Sequence, residues 1–492
     1  MTTVHSALKE LDQEELAKSN PFIKLVHGQT IVEVPELELE CGITISNFPI
    51  AYKTWGYLNE AKDNVLVICH ALTGSSDVAD WWGPLLGTGL AFDPSKFFVI
   101  CLNSMGSPYG SFSPLSIDAS TGERYGPEFP LCTVRDDVRA HKIVLDSLGV
   151  SSIACVIGGS MGGMVALEWS AIYGSEYVKN LVALATSARH SAWCISWSEA
   201  QRQSIYSDPK YMDGYYSLDE PPTVGLSAAR MSALLTYRSR NSFENKFSRS
   251  IPSLQQQQKS GRLDAQTQSQ SQSQLTSKKL QDLNKEIHND GNRSRYPLLS
   301  ERKPSVSSIS SSCSSRESCH SLSSSTSVSS LSKSKSPKQV KPAQTYFSAQ
   351  SYLRYQGEKF VKRFDANCYI SITRKLDTHD LARDRNEEDI ANVLESFKQP
   401  ALIIGISSDG LFTYSEQEFL AAHIPNARLE KINSPEGHDA FLLEFKLINK
   451  LIKDFLAKNC KELVESEGRL WQDNVEVVTN SVFGEAEEVT NW

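Results

Sequence analysis

The sequence predicts an α/β fold: a mostly parallel sheet with helices on both faces and an inserted helical lid. Three observations carry this. Short apolar runs at 65–69, 97–102, 153–157, 181–185, 401–406 and 427–432 have the length and β-rich composition of buried strands. Segments of helical periodicity separate them, as parallel strands require. The alternation then breaks between 185 and 401, where the chain reads as helical and polar.

In chain order, 30–34, 41–48 and 50–56 are β-rich and predict three antiparallel strands entering the sheet. The stretch 135–148 places apolar residues at helical spacing and stops at Gly149. Helices are expected at 192–204 and 227–239, with further helical material at 353–365 and 372–376. A last helix is expected over 440–456. An insertion after a core strand lies over the carboxyl ends of the strands, so it reads as a lid. The expected organisation is a first core part at 1–187, a lid at 188–395 and a second core part at 396–492. Within the lid, about 252–343 is a Ser/Gln-rich tract with few apolar anchors. Burial there cannot offset ordering entropy, so it is expected to be disordered.

Bulk properties narrow the function. With 492 residues, 40% of them hydrophobic, the chain is long enough to bury a sizeable core. A net charge of -8 leaves no electrostatic footprint for nucleic acid or a membrane surface. No apolar run reaches the roughly 18 residues of a membrane span. Residues 1–20 are polar and acidic, unlike a signal or transit peptide. The ten cysteines form no CxxC pair, and Cys69, Cys101 and Cys155 fall inside expected buried strands. They read as core residues of a reducing compartment, so a cytoplasmic location is expected. Histidines and cysteines never cluster at ligand spacing, and no metal site is expected.

The chemistry centres on Gly158-Gly159-Ser160-Met161-Gly162, which lies between an expected strand and an expected helix. A serine on such a turn is held in a strained backbone with its hydroxyl exposed above the sheet. The helix that follows aims N–H groups and a partial positive charge at it. A serine nucleophile needs a base, and the base an orienting acid; in this context they follow in the order Ser, Asp, His. Asp409 stands at the carboxyl end of strand 401–406, and His438 in a Gly-containing loop after strand 427–432. In isolation Asp409 also reads as a helix cap. His379, in the lid, is the rival base. For the oxyanion, the loop after an early strand, His70-Ala71-Leu72-Thr73-Gly74, supplies the Leu72 N–H, with Ala71 and Thr73 as neighbouring alternatives. The Met161 N–H is its partner. His70 itself reads as a residue that packs and hydrogen-bonds to hold that loop.

These residues carry a resemblance. The His70–Gly74 loop, NSMGSPYG at 103–110, GGSMGGM at 158–164, Ser407-Ser408-Asp409 and Gly437-His438-Asp439-Ala440-Phe441 together resemble the homoserine O-acetyltransferases of the α/β-hydrolase superfamily. Lid segments from Ala229-Arg230 to Ser239 and from Tyr352-Leu353 to Asn367 resemble them too. The likeness spares only the termini and the Ser/Gln tract, and a long insertion there is similar to fungal members. It implies acetyl transfer from acetyl-CoA to the L-homoserine hydroxyl through a Ser160 acyl-enzyme, with acetyl-CoA as co-substrate and no permanently bound cofactor. It also implies a homodimer, and Arg230 and Asp439 as the groups that bind the acceptor's carboxylate and ammonium. Their plainer readings are an ion pair within the lid and a helix N-cap. Relatives that acylate serine, or use succinyl donors, share much of the motif set, and a plain esterase needs the same triad. Gly410 departs from the family's bulky residue after the acid, which predicts a looser pocket wall.

Overall fold

A computed structural model describes residues 7–252, 281, 284, 285, 287–292, 346–385 and 389–471. The chain forms two compact units. One comprises Met1–Ala265 and Ser348–Trp492, and the other Gln266–Phe347. The sheet, the helices between its strands and residues 160, 409 and 438 all belong to the first. The expected disorder of 252–343 lies almost wholly outside the described residues.

Nine strands form one sheet in the order β1-β2-β3-β5-β4-β6-β7-β8-β9. They are β1 (Lys9–Glu10), β2 (Thr30–Glu38), β3 (Thr44–Trp55), β4 (Val65–Cys69), β5 (Phe98–Leu102), β6 (Ile153–Gly159), β7 (Leu181–Leu184), β8 (Ala401–Ile406) and β9 (Ala427–Ile432). Pairing is antiparallel from β1 to β5 and parallel from β5 to β9. The apolar runs are explained by double-sided burial. In β4, Val65, Val67 and Cys69 join one core cluster while Leu66 and Ile68 join another. Phe98, Ile100 and Leu102 of β5 divide from Val99 and Cys101 in the same way.

Helices α1 (Val134–Ser147) and α2 (Met161–Tyr177) flank β6. Between β7 and β8 the described residues hold α3 (Ala192–Tyr206), α4 (Thr223–Tyr237), α5 (Ser348–Phe360) and α6 (Ala366–Asp377). Beyond β8 come α7 (Tyr414–His423) and α8 (Phe445–Asn459). No helix among the described residues is long and apolar enough to cross a membrane.

The structure departs from expectation in three places. The runs at 41–48 and 50–56 are one strand, β3; residues 41–43 form the hairpin turn before it, with Gly42 at φ +82° donating to Leu39 O. Pro49 does not interrupt β3, because its nitrogen faces the same side as its carbonyl, toward Phe112 beyond the end of β5, and no bond of the β2 ladder is lost. The helix expected over 353–365 ends at Phe360, because Asp365 N-caps α6 through Cys368 N. The helix expected from 440 starts at Phe445; a 3₁₀ turn, Gly437–Leu442, precedes it and carries His438. His438 thus lies in the Gly-marked connection between β9 and α8, where Gly437, at φ +72°, lies so near Ser239 N that a Cβ there would meet it at 2.4 Å.

Candidate active site

β6 ends at Gly159 and α2 begins at Met161, leaving Ser160 alone to turn the chain, at φ 57° and ψ -128°. This left-handed region is unfavourable for a residue with a Cβ. The surroundings impose it. Ser160 N donates to Leu184 O, and Ser160 O accepts from Gly163 N, Met164 N and the Thr186 hydroxyl. The turn is tight enough to exclude neighbouring side chains. A Cβ on Gly162 would lie 2.0 Å from Cys69 O in β4, and one on Gly158 would lie 2.1 Å from Gly162 O. Both contacts are with backbone, which cannot swing away. Gly162→Ala is therefore expected to destabilise the protein by about 3 kcal/mol. A urea midpoint unchanged by the substitution would contradict this packing.

Three side chains from distant parts of the chain meet above this turn. The Ser160 hydroxyl lies 2.8 Å from His438 Nε2, and His438 Nδ1 lies 2.7 Å from Asp409 Oδ2. Asp409 caps no helix. Its other oxygen accepts from Leu411 N and Phe412 N, which fixes the carboxylate plane. A carboxylate only accepts, so it holds the imidazole proton on Nδ1 and leaves Nε2 as acceptor for the serine. Burial opposes a charge on His438, but the Asp409 carboxylate more than offsets this, and the imidazole pKa is raised.

The rings of Phe412, Phe441 and Tyr237 stand 5.4, 5.2 and 6.1 Å from that of His438. They keep water from its edges. The rival base His379 does not approach Ser160: it is buried with its pKa pushed down to about 4 by desolvation, and its carbonyl accepts from His190 N. His70 holds its loop. Nδ1 bonds Ala71 O at 2.8 Å and Nε2 accepts from Ser104 N at 2.9 Å.

Ser160 and His438 open onto a cleft with about 880 Å³ of empty space, its mouth included. Leu72, Thr73, Ser160, His438 and Asp439 line its core side; Trp197 and Gln201 of α3, Tyr237 of α4 and Leu376 of α6 line the other. Neither the Leu72 nor the Met161 N–H donates a hydrogen bond among the described residues.

Asp439 belongs to the 3₁₀ turn and is not an N-cap; α8 starts after Glu444. Burial raises its pKa, against the opposing charge of Arg238, whose Nε is 3.5 Å from it. Arg238 also pairs with Glu436. Arg230 is 1% exposed and sits one layer behind the cleft, its guanidinium 5.3 Å from the Tyr237 ring and 4.8 Å from the Phe360 ring. Gly410 is not in the cleft wall; it is exposed, and a Cβ on it would meet nothing within 4 Å. The expected loosening of the wall is thereby corrected: Leu411 and Phe412 form that wall.

Sequence reasoning missed Tyr237, Phe412 and Arg238. Tyr237 and Arg238 stand within a segment that carries the resemblance, but nothing in its spacing shows that it reaches His438. Among the described residues no group of three or more His, Cys, Asp or Glu is placed to hold a metal ion.

Residues 64–445 match the family model described as alpha/beta hydrolase fold. The chain is 70% identical to a homoserine O-acetyltransferase of Saccharomyces cerevisiae (strain ATCC 204508 / S288c), over 100% of this chain and 99% of that one. It is 50% identical to a homoserine O-acetyltransferase of Schizosaccharomyces pombe (strain 972 / ATCC 24843), over 96% of each. Among solved structures, homoserine O-acetyltransferase from Bacillus anthracis matches at TM-score 0.63 and 21% identity, over 87% of this chain and 97% of that one. Esterase E22 matches at TM-score 0.63 and 22% identity, over 87% of this chain and 99% of that one. At such identities the likeness shows the shared fold.

Proposed function

The chain belongs to the homoserine O-acetyltransferase family of α/β hydrolases, and from that premise we propose that it moves an acetyl group from acetyl-CoA to the hydroxyl of L-homoserine by double displacement. The observation that carries the mechanism is the unbroken line Ser160–His438–Asp409, with contacts of 2.8 and 2.7 Å.

His438 Nε2 takes the Ser160 proton as the serine oxygen attacks the thioester carbonyl. Negative charge forms on the carbonyl oxygen, where the Leu72 and Met161 N–H groups stabilise it. Collapse breaks the C–S bond, and the imidazolium returns its proton to the leaving sulfur. The homoserine hydroxyl then gives its proton to the same Nε2 and attacks the acetyl ester, and Ser160 recovers a proton as it leaves. Asp409 stabilises the imidazolium in both halves. The helices between β7 and β8 act as a lid that walls the acyl-enzyme from water until the acceptor binds.

Asp439 is the acceptor-ammonium group in this reading. Arg230 favours the acceptor carboxylate by its charge from behind Tyr237, whose ring stands between it and the cleft. Asp439→Asn is expected to raise the homoserine KM about tenfold, as losing a charged hydrogen bond does, and to leave the acetylation half-reaction unchanged at a pH where His438 is neutral. Arg230→Ala is expected to act the same way. Separate single-turnover assays of the two halves test this; equal losses in both would mark a structural role.

The activity is tested by an acceptor panel of L-homoserine, L-serine and water, with acetyl-CoA or succinyl-CoA as donor, read by thiol release. Acetyl-CoA with homoserine is expected to be fastest by a wide margin. Release at the same rate in water alone would mark an esterase.

A further inference from the structure

The loop that carries the Leu72 N–H is pinned from two sides. On the core side, Ala71 O accepts from Gly74 N at 2.9 Å and bonds His70 Nδ1 at 2.8 Å. In a trans peptide the Leu72 N–H points away from that oxygen. His70 Nε2 accepts from Ser104 N, so its proton stays on Nδ1, and burial pushes its pKa down to about 4, keeping the ring neutral.

The other side of the turn is held from outside the core. Arg363 lies between α5 and α6, and its Nη1 donates to Thr73 O at 3.1 Å. Arg363 is 4% exposed. Tyr109, itself buried, locks it at both ends: the phenol donates to Arg363 O at 2.7 Å and accepts from Nη1 at 3.3 Å. The guanidinium carbon also lies 4.9 Å from the Phe360 ring. A buried cation held this rigidly gives the Thr73 carbonyl a charge-assisted partner that a mobile surface side chain could not.

We propose that Arg363 is a positioning residue for the oxyanion hole: by fixing the Thr73 carbonyl it sets the turn that presents the Leu72 N–H, and so makes the inserted helices part of the machinery that stabilises the oxyanion. The proposal rests on the acyl-enzyme reading above. Both half-reactions pass through a tetrahedral oxyanion, so a fault here slows both. A fault at Asp439 or Arg230 slows only the second.

The test measures single-turnover acetylation, single-turnover transfer to homoserine, homoserine KM and thermal midpoint in Arg363→Met and Arg363→Lys. Losing one oxyanion donor costs about 10²- to 10³-fold. Misaiming one through its turn is expected to slow both halves of R363M about tenfold or more, with homoserine KM unchanged and with R363K, which keeps a charged donor, recovering most of the rate. A stable R363M that acetylates within about twofold of the parent, or that loses rate only in the homoserine half, overturns the proposal. Should R363M fail to fold, Tyr109→Phe decides, because it frees the guanidinium without removing it: slowing of both halves supports the proposal and unchanged rates overturn it. A parent protein that forms no acetyl-Ser160 overturns the acyl-enzyme reading along with this one, whereas fast acetylation by R363M overturns this one alone.

Discussion

Ser160→Ala is expected to lower turnover by about 10⁴-fold or more, and to abolish thiol release from acetyl-CoA in the absence of acceptor. The side-chain contact made by Ser160 is the one to His438, so nothing else in the turn depends on the hydroxyl. The backbone strain at φ 57° remains with Ala. Ser160→Gly removes that strain and is expected to be as inactive but more stable, by about 1 kcal/mol. Thiol release with a colorimetric reagent and urea denaturation check the two halves of this expectation. A Ser160→Ala protein that keeps its rate would remove the nucleophile from the mechanism.

Asp409→Asn is the second large effect, expected at about 10⁴-fold. The structure supplies the reason. Leu411 N and Phe412 N demand an acceptor at Oδ1, so an Asn keeps its carbonyl there and turns its NH₂ toward His438. The imidazole must then accept at Nδ1 and carry its proton on Nε2, which can no longer receive one from Ser160. The substitution also removes the charge that raises the His438 pKa against desolvation. In the parent, acetylation needs neutral His438, so its rate is expected to rise with pH through a midpoint above the ordinary imidazole value of about 6.5. In Asp409→Asn burial is opposed only by the weaker pull of Asp439, and the midpoint is expected below the parent's. The stability contribution has the opposite sense. A raised folded pKa stabilises the protein fully below the unfolded value, and the contribution is lost as pH rises through the folded value. The pH dependence of single-turnover acetylation, compared between parent and variant, measures the displacement.

Much of this site was legible from the chain because each triad member occupies a position with its own local signature. Ser160 lies on a Gly-flanked strand-to-helix turn, Asp409 at the end of an apolar run, and His438 in a Gly-marked turn after the last strand. These signatures follow from the sheet itself, whose burial on both faces writes apolar runs into β4, β5 and β8. What depends on packing across the insertion was not legible. Arg363 and Thr73 are 290 residues apart, and no periodicity relates them. Tyr237 reaches His438 only because α4 ends against the 3₁₀ turn that contains Gly437. The position of Arg230 behind Tyr237 also needed coordinates, since motif matching gives a residue and not its depth. Local errors had local causes. Residues 41–43 are β-rich in composition but form a turn around Gly42, and Asp365, counted as helical, caps the next helix instead.

In the proposed double displacement, Ser160 carries the acetyl group between donor and acceptor. Incubating the full chain with acetyl-CoA and no homoserine, followed by peptide mass spectrometry, tests it most directly. One added acetyl group on the peptide containing Ser160, discharged when homoserine is supplied, is the expected result. Full transfer activity with no such adduct, even at short quench times, would show direct transfer between the two substrates and contradict the double displacement.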